Sequence, residues 1–539
     1  MSPTRWLLPR AISLSLLAAL VGAATASAQY YDPALRSLDL STGSAARSPR
    51  LLGMGGLSVV IPDRETQINL WDLARMPVGL GLDDSTSTMD VRPGTGALSS
   101  VRTLGGGRDR QNLAARTNQT SFEAVYRNRE TGGSFGVLAD VSSLRWDRPY
   151  SSGIEVRQGL GHPEVMTVLG GIVPRFFHSH LLWAAHVRFR GETVEDQYRS
   201  IVSNNAGEWI DLGGSQLEPP SEFIPSKVTV TTSAYGLSTA YMIGKRGRFA
   251  LGFEHEGNRI VALNELARST SETQEQRPYW VGRAAIIGGI GRTLEFGVEG
   301  TGRISDSERD WRFTTSAGVG QQALNGRGNM LTRNEKSSEM HARVRWTPGK
   351  AVFAGQAQTA AYKILIDPPD ADDPTSLNRF MNRAFNRPNA DSLVFPDSIV
   401  HDESRRWAFA AGGGVSYPFG RTLVGAEYHW SRDAYQSLLI GAGPRRIAWD
   451  VRTGLERPLG TLMKIRLGYA YRWVDEDDYS TLDEYVAHDV SIGLGYAPLG
   501  SKWSLESGYQ VESRSREQDD PADERQKRHH IAMQVHWAF

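Results

Sequence analysis

Ile531-Ala532-Met533-Gln534-Val535-His536-Trp537-Ala538-Phe539 ends the chain, and it alternates. Ile531, Met533, Val535, Trp537 and Phe539 are apolar, whereas Gln534, His536 and the preceding His530 are polar. A period of two is the strand period, with one face greasy and the other able to meet water. In a transmembrane β-barrel the first face meets lipid and the second lines a polar lumen. An amphipathic edge strand of a soluble sandwich fits this stretch equally well, so the rest of the chain decides.

At the other end, Arg5 and Arg10 precede an apolar run from Ala11 to Ala24, and Ala26, Ser27 and Ala28 form a small-residue cleavage site. Residues 1–28 are therefore expected to be a signal peptide, residues 29–78 an N-terminal periplasmic or lumenal segment, and residues 79–539 the barrel. The apolar run is shorter than the roughly 20 residues of a spanning helix, and no later run reaches that length. The chain has no cysteine, which removes disulfides, thiolate metal sites and cysteine nucleophiles together. Sixty basic residues balance sixty acidic ones, which argues against a nucleic-acid partner.

Strands are expected near 121–128, 133–141, 164–173, 180–190, 228–242, 248–256, 279–287, 292–301, 338–347, 351–362, 406–417, 421–430, 446–456, 461–473, 484–497, 501–512 and 528–539. Their connections alternate between short Gly- and Pro-rich turns, such as Pro418–Gly420 and Pro458–Gly460, and long polar loops, such as 191–227 and 363–405. Short periplasmic turns and long outer loops are the asymmetry of an outer-membrane barrel. A C-terminus in the periplasm requires one more strand before Ser121, placed at Gly79–Val91 and followed by a long loop, 92–120. The count is then eighteen, or sixteen if one hairpin lies outside the barrel. Trp346, Tyr417, Tyr496, Trp503 and Trp537 fall at expected periplasmic ends, and Trp280, Trp407, Trp430, Trp449 and Trp473 at outer ends, as two aromatic girdles would.

The terminal strand resembles the C-terminal signal of bacterial outer-membrane proteins, which implies that Trp537 and Phe539 address the barrel-assembly machinery. The stretch 49–74, P-R-L-L-G-M-G-G-L-S-V-V-I-P-D-R-E-T-Q-I-N-L-W-D-L-A, resembles the start of FadL-like and PorV-like outer-membrane proteins. Gly53, Met54, Gly55 and Gly56 match the Gly-Met-Gly-Gly of that family, and Asp63, Asn69, Leu73 and Ala74 match in kind; Leu70, Trp71 and Asp72 depart from it. The resemblance implies a plug inside the lumen carried by Gly53, Met54, Gly55, Gly56 and Asn69, and a hydrophobic cargo. The glycines by themselves require only close backbone approach or positive φ, which a periplasmic turn also provides.

Alternation places Arg188, Arg190, Glu254, Arg283, Glu295, Glu299, Arg343, Arg345, Glu427, Arg452, Lys464 and Arg466 inward, lining the lumen or bridging neighbouring strands. Asp475, Glu476, Asp477 and Asp478 fall in an expected outer loop as a solvated charge run. No catalytic residues, metal site or cofactor are expected, since G-x-S-x-G, H-E-x-x-H and P-loop motifs are all missing. The chain thus reads as an all-β outer-membrane barrel in contact with lipid, passing small and, by the resemblance, hydrophobic solutes. A non-conducting surface or secretion scaffold is the alternative, and an outer-membrane enzyme a more distant one.

Overall fold

The computed structural model describes residues 48–61 and 87–538, apart from the connecting segments 105–108, 128–132, 150–153, 177–178, 201, 204–208, 211–223, 244–246, 267–268, 316–324, 368–400, 438–440, 479–480 and 518–523. The signal peptide, Asn69, Trp71 and Phe539 lie outside the described residues. One helical turn, α1 (Pro49–Gly53), precedes the barrel strands β1 (Thr88–Leu104), β2 (Asp109–Arg127), β3 (Ser134–Pro149), β4 (Ile154–Phe176), β5 (Ser179–Ser200) and β6 (Ile224–Ile243). Then come β7 (Gly247–Leu266), β8 (Ser269–Ile290), β9 (Leu294–Thr315), β10 (Asn325–Trp346), β11 (Val352–Asp367) and β12 (Asp402–Phe419). The last third holds β13 (Thr422–Ser437), β14 (Gly441–Leu459), β15 (Met463–Asp478), β16 (Thr481–Tyr496), β17 (Trp503–Glu517) and β18 (Glu524–Ala538).

Each strand pairs antiparallel with its sequence neighbours, and β1 also pairs with β18, Thr88 facing Ala538, so the eighteen-stranded sheet closes without an edge. Closure satisfies every ladder laterally, which is the condition for a sheet to cross hydrocarbon. The alternation of the terminal strand is realised: Ile531, Met533, Val535 and Trp537 are 44%, 40%, 39% and 45% exposed, while Ala532 between them is buried. Around the wall the same split recurs, with Phe249, Leu251 and Phe253 outward on β7 and Glu254 and Glu256 buried on the inner side. A continuous apolar exterior around a charged interior is the lipid-facing arrangement, not that of a soluble barrel.

The apolar belt is narrow. On β8 it runs from Ile290 to Trp280, eleven positions, close to the roughly 9–11 residues a tilted strand needs to cross. Girdles bound it. Trp430 faces Trp449 and Trp449 faces Trp473 on adjacent strands, the last two rings stacked at 6.2 Å. At the other rim Trp346 packs on Phe353, Tyr417 on Phe419 and Tyr496 on Trp503, at 5.4, 4.8 and 5.8 Å. Here the connections are tight, and Gly291, Gly349, Gly420, Gly460 and Gly500 sit in them at φ of 62°, 71°, 58°, 72° and 72°, which only glycine adopts freely.

Three expectations need correction. The first described strand is Thr88–Leu104, so the expected Gly79–Val91 overlaps it only at 88–91, 79–86 lie outside the described residues, and most of the expected loop 92–120 belongs to the β1–β2 hairpin. Another expected long loop, 257–278, is likewise mostly strand: β7 and β8 pair as far as Leu266 and Ser269. The acidic run Asp475–Asp478 is the outer end of β15, paired with β14 and β16, rather than a loop. The physical reason is common to all three. Beyond the bilayer both faces of a strand meet water, so apolar alternation disappears, while the lateral hydrogen-bond ladder continues.

Candidate functional site

The stretch 48–61 lies against the inner wall, from β10 round to β17. Pro49 sets φ for the first turn and Ser48 caps it, its hydroxyl accepting from Leu51 N at 3.3 Å. The turn ends in Gly55 and Gly56, both left-handed at φ 73° and 75°. Leu52, Met54, Leu57, Val59, Val60 and Ile61 are all at most 2% exposed.

Glycines of the wall make this approach possible. A Cβ on Gly508 would stand 2.4 Å from Pro49 O, on Gly493 3.0 Å from Gly53 Cα, on Gly468 1.9 Å from Gly55 N, on Gly454 2.3 Å from Met54 O, and on Gly425 2.9 Å from Leu57 Cδ1. These five glycines occupy five consecutive strands, β13 to β17. Gly425 faces Gly454 and Gly454 faces Gly468; Gly493 faces Gly508. The result is a shallow track, interrupted by Ser491 between Gly468 and Gly493, on which the segment packs closely.

Beside the track, polar side chains satisfy the segment's backbone groups, as burial of those groups requires. The Glu427 carboxylate accepts from Ser58 N, Val59 N and Val60 N at 2.9, 2.7 and 2.8 Å, and His429 Nε2 lies 2.9 Å away. Arg343 donates to Ser58 O and Val59 O at 2.8 and 3.0 Å, and Ser416 to Val60 O at 3.0 Å. Arg452 donates to Gly56 O at 2.7 Å while held by Asp450, and Gly55 N donates to Ser491 Oγ at 2.9 Å. At the start of the segment Arg50 forks onto Glu456 at 2.8 and 3.0 Å; Glu456 also accepts from buried Arg466, which pairs with Glu506.

Of the expected lumen-lining residues, Arg343, Glu427, Arg452 and Arg466 touch the segment or its partners, and Lys464 stands at the rim, 3.9 Å from Glu456. Arg188, Glu254 and Arg283 form a second cluster on the β5–β9 wall: Glu254 accepts from Arg188 at 2.6 Å and lies 2.7 Å from His186 Nε2 and 3.4 Å from Arg283. Arg190 pairs with Glu192. Glu295 and Arg345 face each other near the tight-turn rim, and Glu299 faces His341. Of the expected plug residues, Gly53, Met54 and Gly55 lie on the glycine track and Gly56 lies beside it against Arg452. Trp537 sits in the outward girdle.

Arg50, Glu456, Ser416, Ser491 and the five wall glycines escaped sequence reading. A signal existed for the glycines: Gly454 and Gly468 lie two positions from Arg452 and Arg466, on the inward phase where a bulky residue is otherwise the rule. Near the tight-turn rim, Met166, Val168, Leu182, Ala184, Ala240, Ala250 and Ala285 form an apolar cluster. Among the described residues no group of three His, Asp or Glu side chains fits a metal.

Fold, belt, girdles and polar interior define a transmembrane β-barrel of the bacterial outer membrane. No family model matches the chain, and no curated protein matches it either. Among solved structures it is similar to a Pseudomonas aeruginosa FadL homologue, at 11% identity and a TM-score of 0.35, covering 91% of this chain and 98% of that one. It is also similar to the Ralstonia pickettii toluene transporter TbuX, at 10% and 0.34 over 92% and 99% of the two chains. The ferric yersiniabactin uptake receptor FyuA from Yersinia pestis aligns at 8% and 0.41 over 85% and 80%. Superpositions this loose say nothing of what this chain carries.

Proposed function

We propose that the protein is an outer-membrane channel for small solutes whose lumen is obstructed at rest by its own N-terminal segment. The observation that carries this reading is the fit of residues 48–61 on the glycine track, where five consecutive strands each present a glycine to the segment. A segment lying loosely in the periplasm would need neither the glycines nor Glu427 beneath three of its amides.

Charge gives the lumen little ion preference, because its carboxylates and arginines compensate one another in place, as Glu254 with Arg188 and Glu456 with Arg466 do. Bilayer conductance of the wild type and of a deletion of Ser48–Asp72 tests the proposal. Larger or more frequent steps in the assembled deletion protein are expected. Silence from both proteins would favour a non-conducting scaffold.

A further inference from the structure

The outward face carries one arrangement twice in the outer half of the apolar belt. Between β15 and β16 the Tyr469 hydroxyl lies 2.8 Å from His488 Nδ1; between β17 and β18 the Tyr509 hydroxyl lies 2.9 Å from His529 Nδ1, and in both pairs the ring centroids are 6.2 Å apart. Register makes the pairs equivalent. Tyr469 faces Val490 and Tyr509 faces Ile531, so each histidine stands two residues further out along the partner strand. A tyrosine that donates to Nδ1 leaves the ring proton on Nε2, which then serves as a donor at the outer rim of the belt.

Basic residues gather around the second pair. Lys527 lies two residues beyond His529 on the same face and is exposed. Ala97 faces His529 on one side and the exposed Arg116 on the other, placing Arg116 two strands away, about 10 Å at the usual strand spacing. Val511, Ser513, Ser515, Thr95, Ala97, Asn118 and Thr120, outward around this pair, carry no carboxylate, and the exposed Glu484 lies on β16, where it accepts from Trp473 Nε1. Glu512 is on the inward phase, beside Arg528. Below the cluster, Ile531, Met533 and Val535 offer an exposed apolar strip.

We propose that this face binds a phosphorylated lipid of the outer leaflet. Its acyl chains lie along Ile531, Met533 and Val535, and its phosphate is held by Lys527, Arg116 and the Nε2–H group of His529. Cationic side chains at headgroup level above an apolar strip match both halves of such an amphiphile. The site is independent of whether the lumen conducts.

Full-length protein in an uncharged detergent, titrated with diphosphorylated lipid A and read by native mass spectrometry, tests this. Each basic residue near the surface is worth about fivefold in affinity, so Lys527→Gln with Arg116→Gln should weaken binding about 25-fold. Arg457→Gln, outward at the opposite rim, should leave it unchanged. Tyr509→Phe, which removes no charge and keeps the ring, should weaken binding several-fold by freeing the His529 ring. Equal affinity of the wild type and the double variant would overturn the proposal. Equal binding of dephosphorylated lipid, or displacement of the lipid by inorganic phosphate alone, would overturn it as well, the last by showing a free-anion site.

Discussion

Gly468→Ala adds one methyl group to the inner wall, and its consequence can be worked out from the structure. The new Cβ would stand 1.9 Å from Gly55 N and 2.2 Å from Met54 C, against a lower limit of ordinary contact of 3.4 Å. Both neighbours are backbone, so no side chain can rotate away. Gly468 is held in β15 by pairing with Gly454 and Ser491, which leaves the segment as the part that yields. Relief requires 3.4 − 1.9 = 1.5 Å of movement. That breaks the 2.9 Å bond from Gly55 N to Ser491 and the 2.7 Å bond from Arg452 to Gly56 O. One neutral and one charged hydrogen bond together contribute about 2–4 kcal/mol. A shift of that size changes the ratio of seated to displaced segment by about 30- to 1000-fold. Single-channel recording on assembled, heat-modifiable protein should show an open probability approaching that of the Ser48–Asp72 deletion. Gly282→Ala, which meets nothing within 4 Å, is the control and should behave as wild type. An assembled Gly468→Ala barrel as quiet as the wild type, beside an open deletion mutant, would refute the reasoning.

Three further outcomes are expected. Glu427→Gln places an amide N–H₂ against backbone donors that the carboxylate now accepts, weakening the seat of Ser58–Val60 by about 1.5–3 kcal/mol; conductance should rise while the barrel's thermal transition stays put. At the closing seam, buried Asp90 accepts from Gln534 Nε2 at 2.9 Å and lies 2.8 Å from His536 Nδ1. Asp90→Asn should therefore lower the temperature at which the folded gel band is lost, without opening the lumen. Because the chain has no cysteine, single cysteines report topology cleanly. A cysteine at Arg405, exposed at the outer end of β12, should react with an impermeant reagent on intact cells, and cysteines at Arg421 or Thr461, in tight turns, should not; the opposite pattern would invert the barrel.

The period of two decides which face of each strand meets lipid, and it can be read from sequence because lipid and lumen impose opposite chemistry on successive residues. Thus the outward set Ile531, Met533, Val535 and Trp537, the two girdles and the inward placement of Glu254, Glu427 and Arg466 were legible before any coordinates. So were the tight turns, whose glycines carry their own signature. The strand extensions beyond the bilayer were not legible, since water on both faces erases the pattern while the ladder persists. Nor was the seat of the N-terminal segment. Glu427 lies 367 to 369 residues from the amides it accepts, and Gly425, Gly454, Gly468, Gly493 and Gly508 are unremarkable singly. Only the register of β13 to β17 sets those glycines side by side, because lateral neighbours in a barrel are fixed by strand pairing across the sheet, and strand lengths that local sequence does not encode determine that pairing.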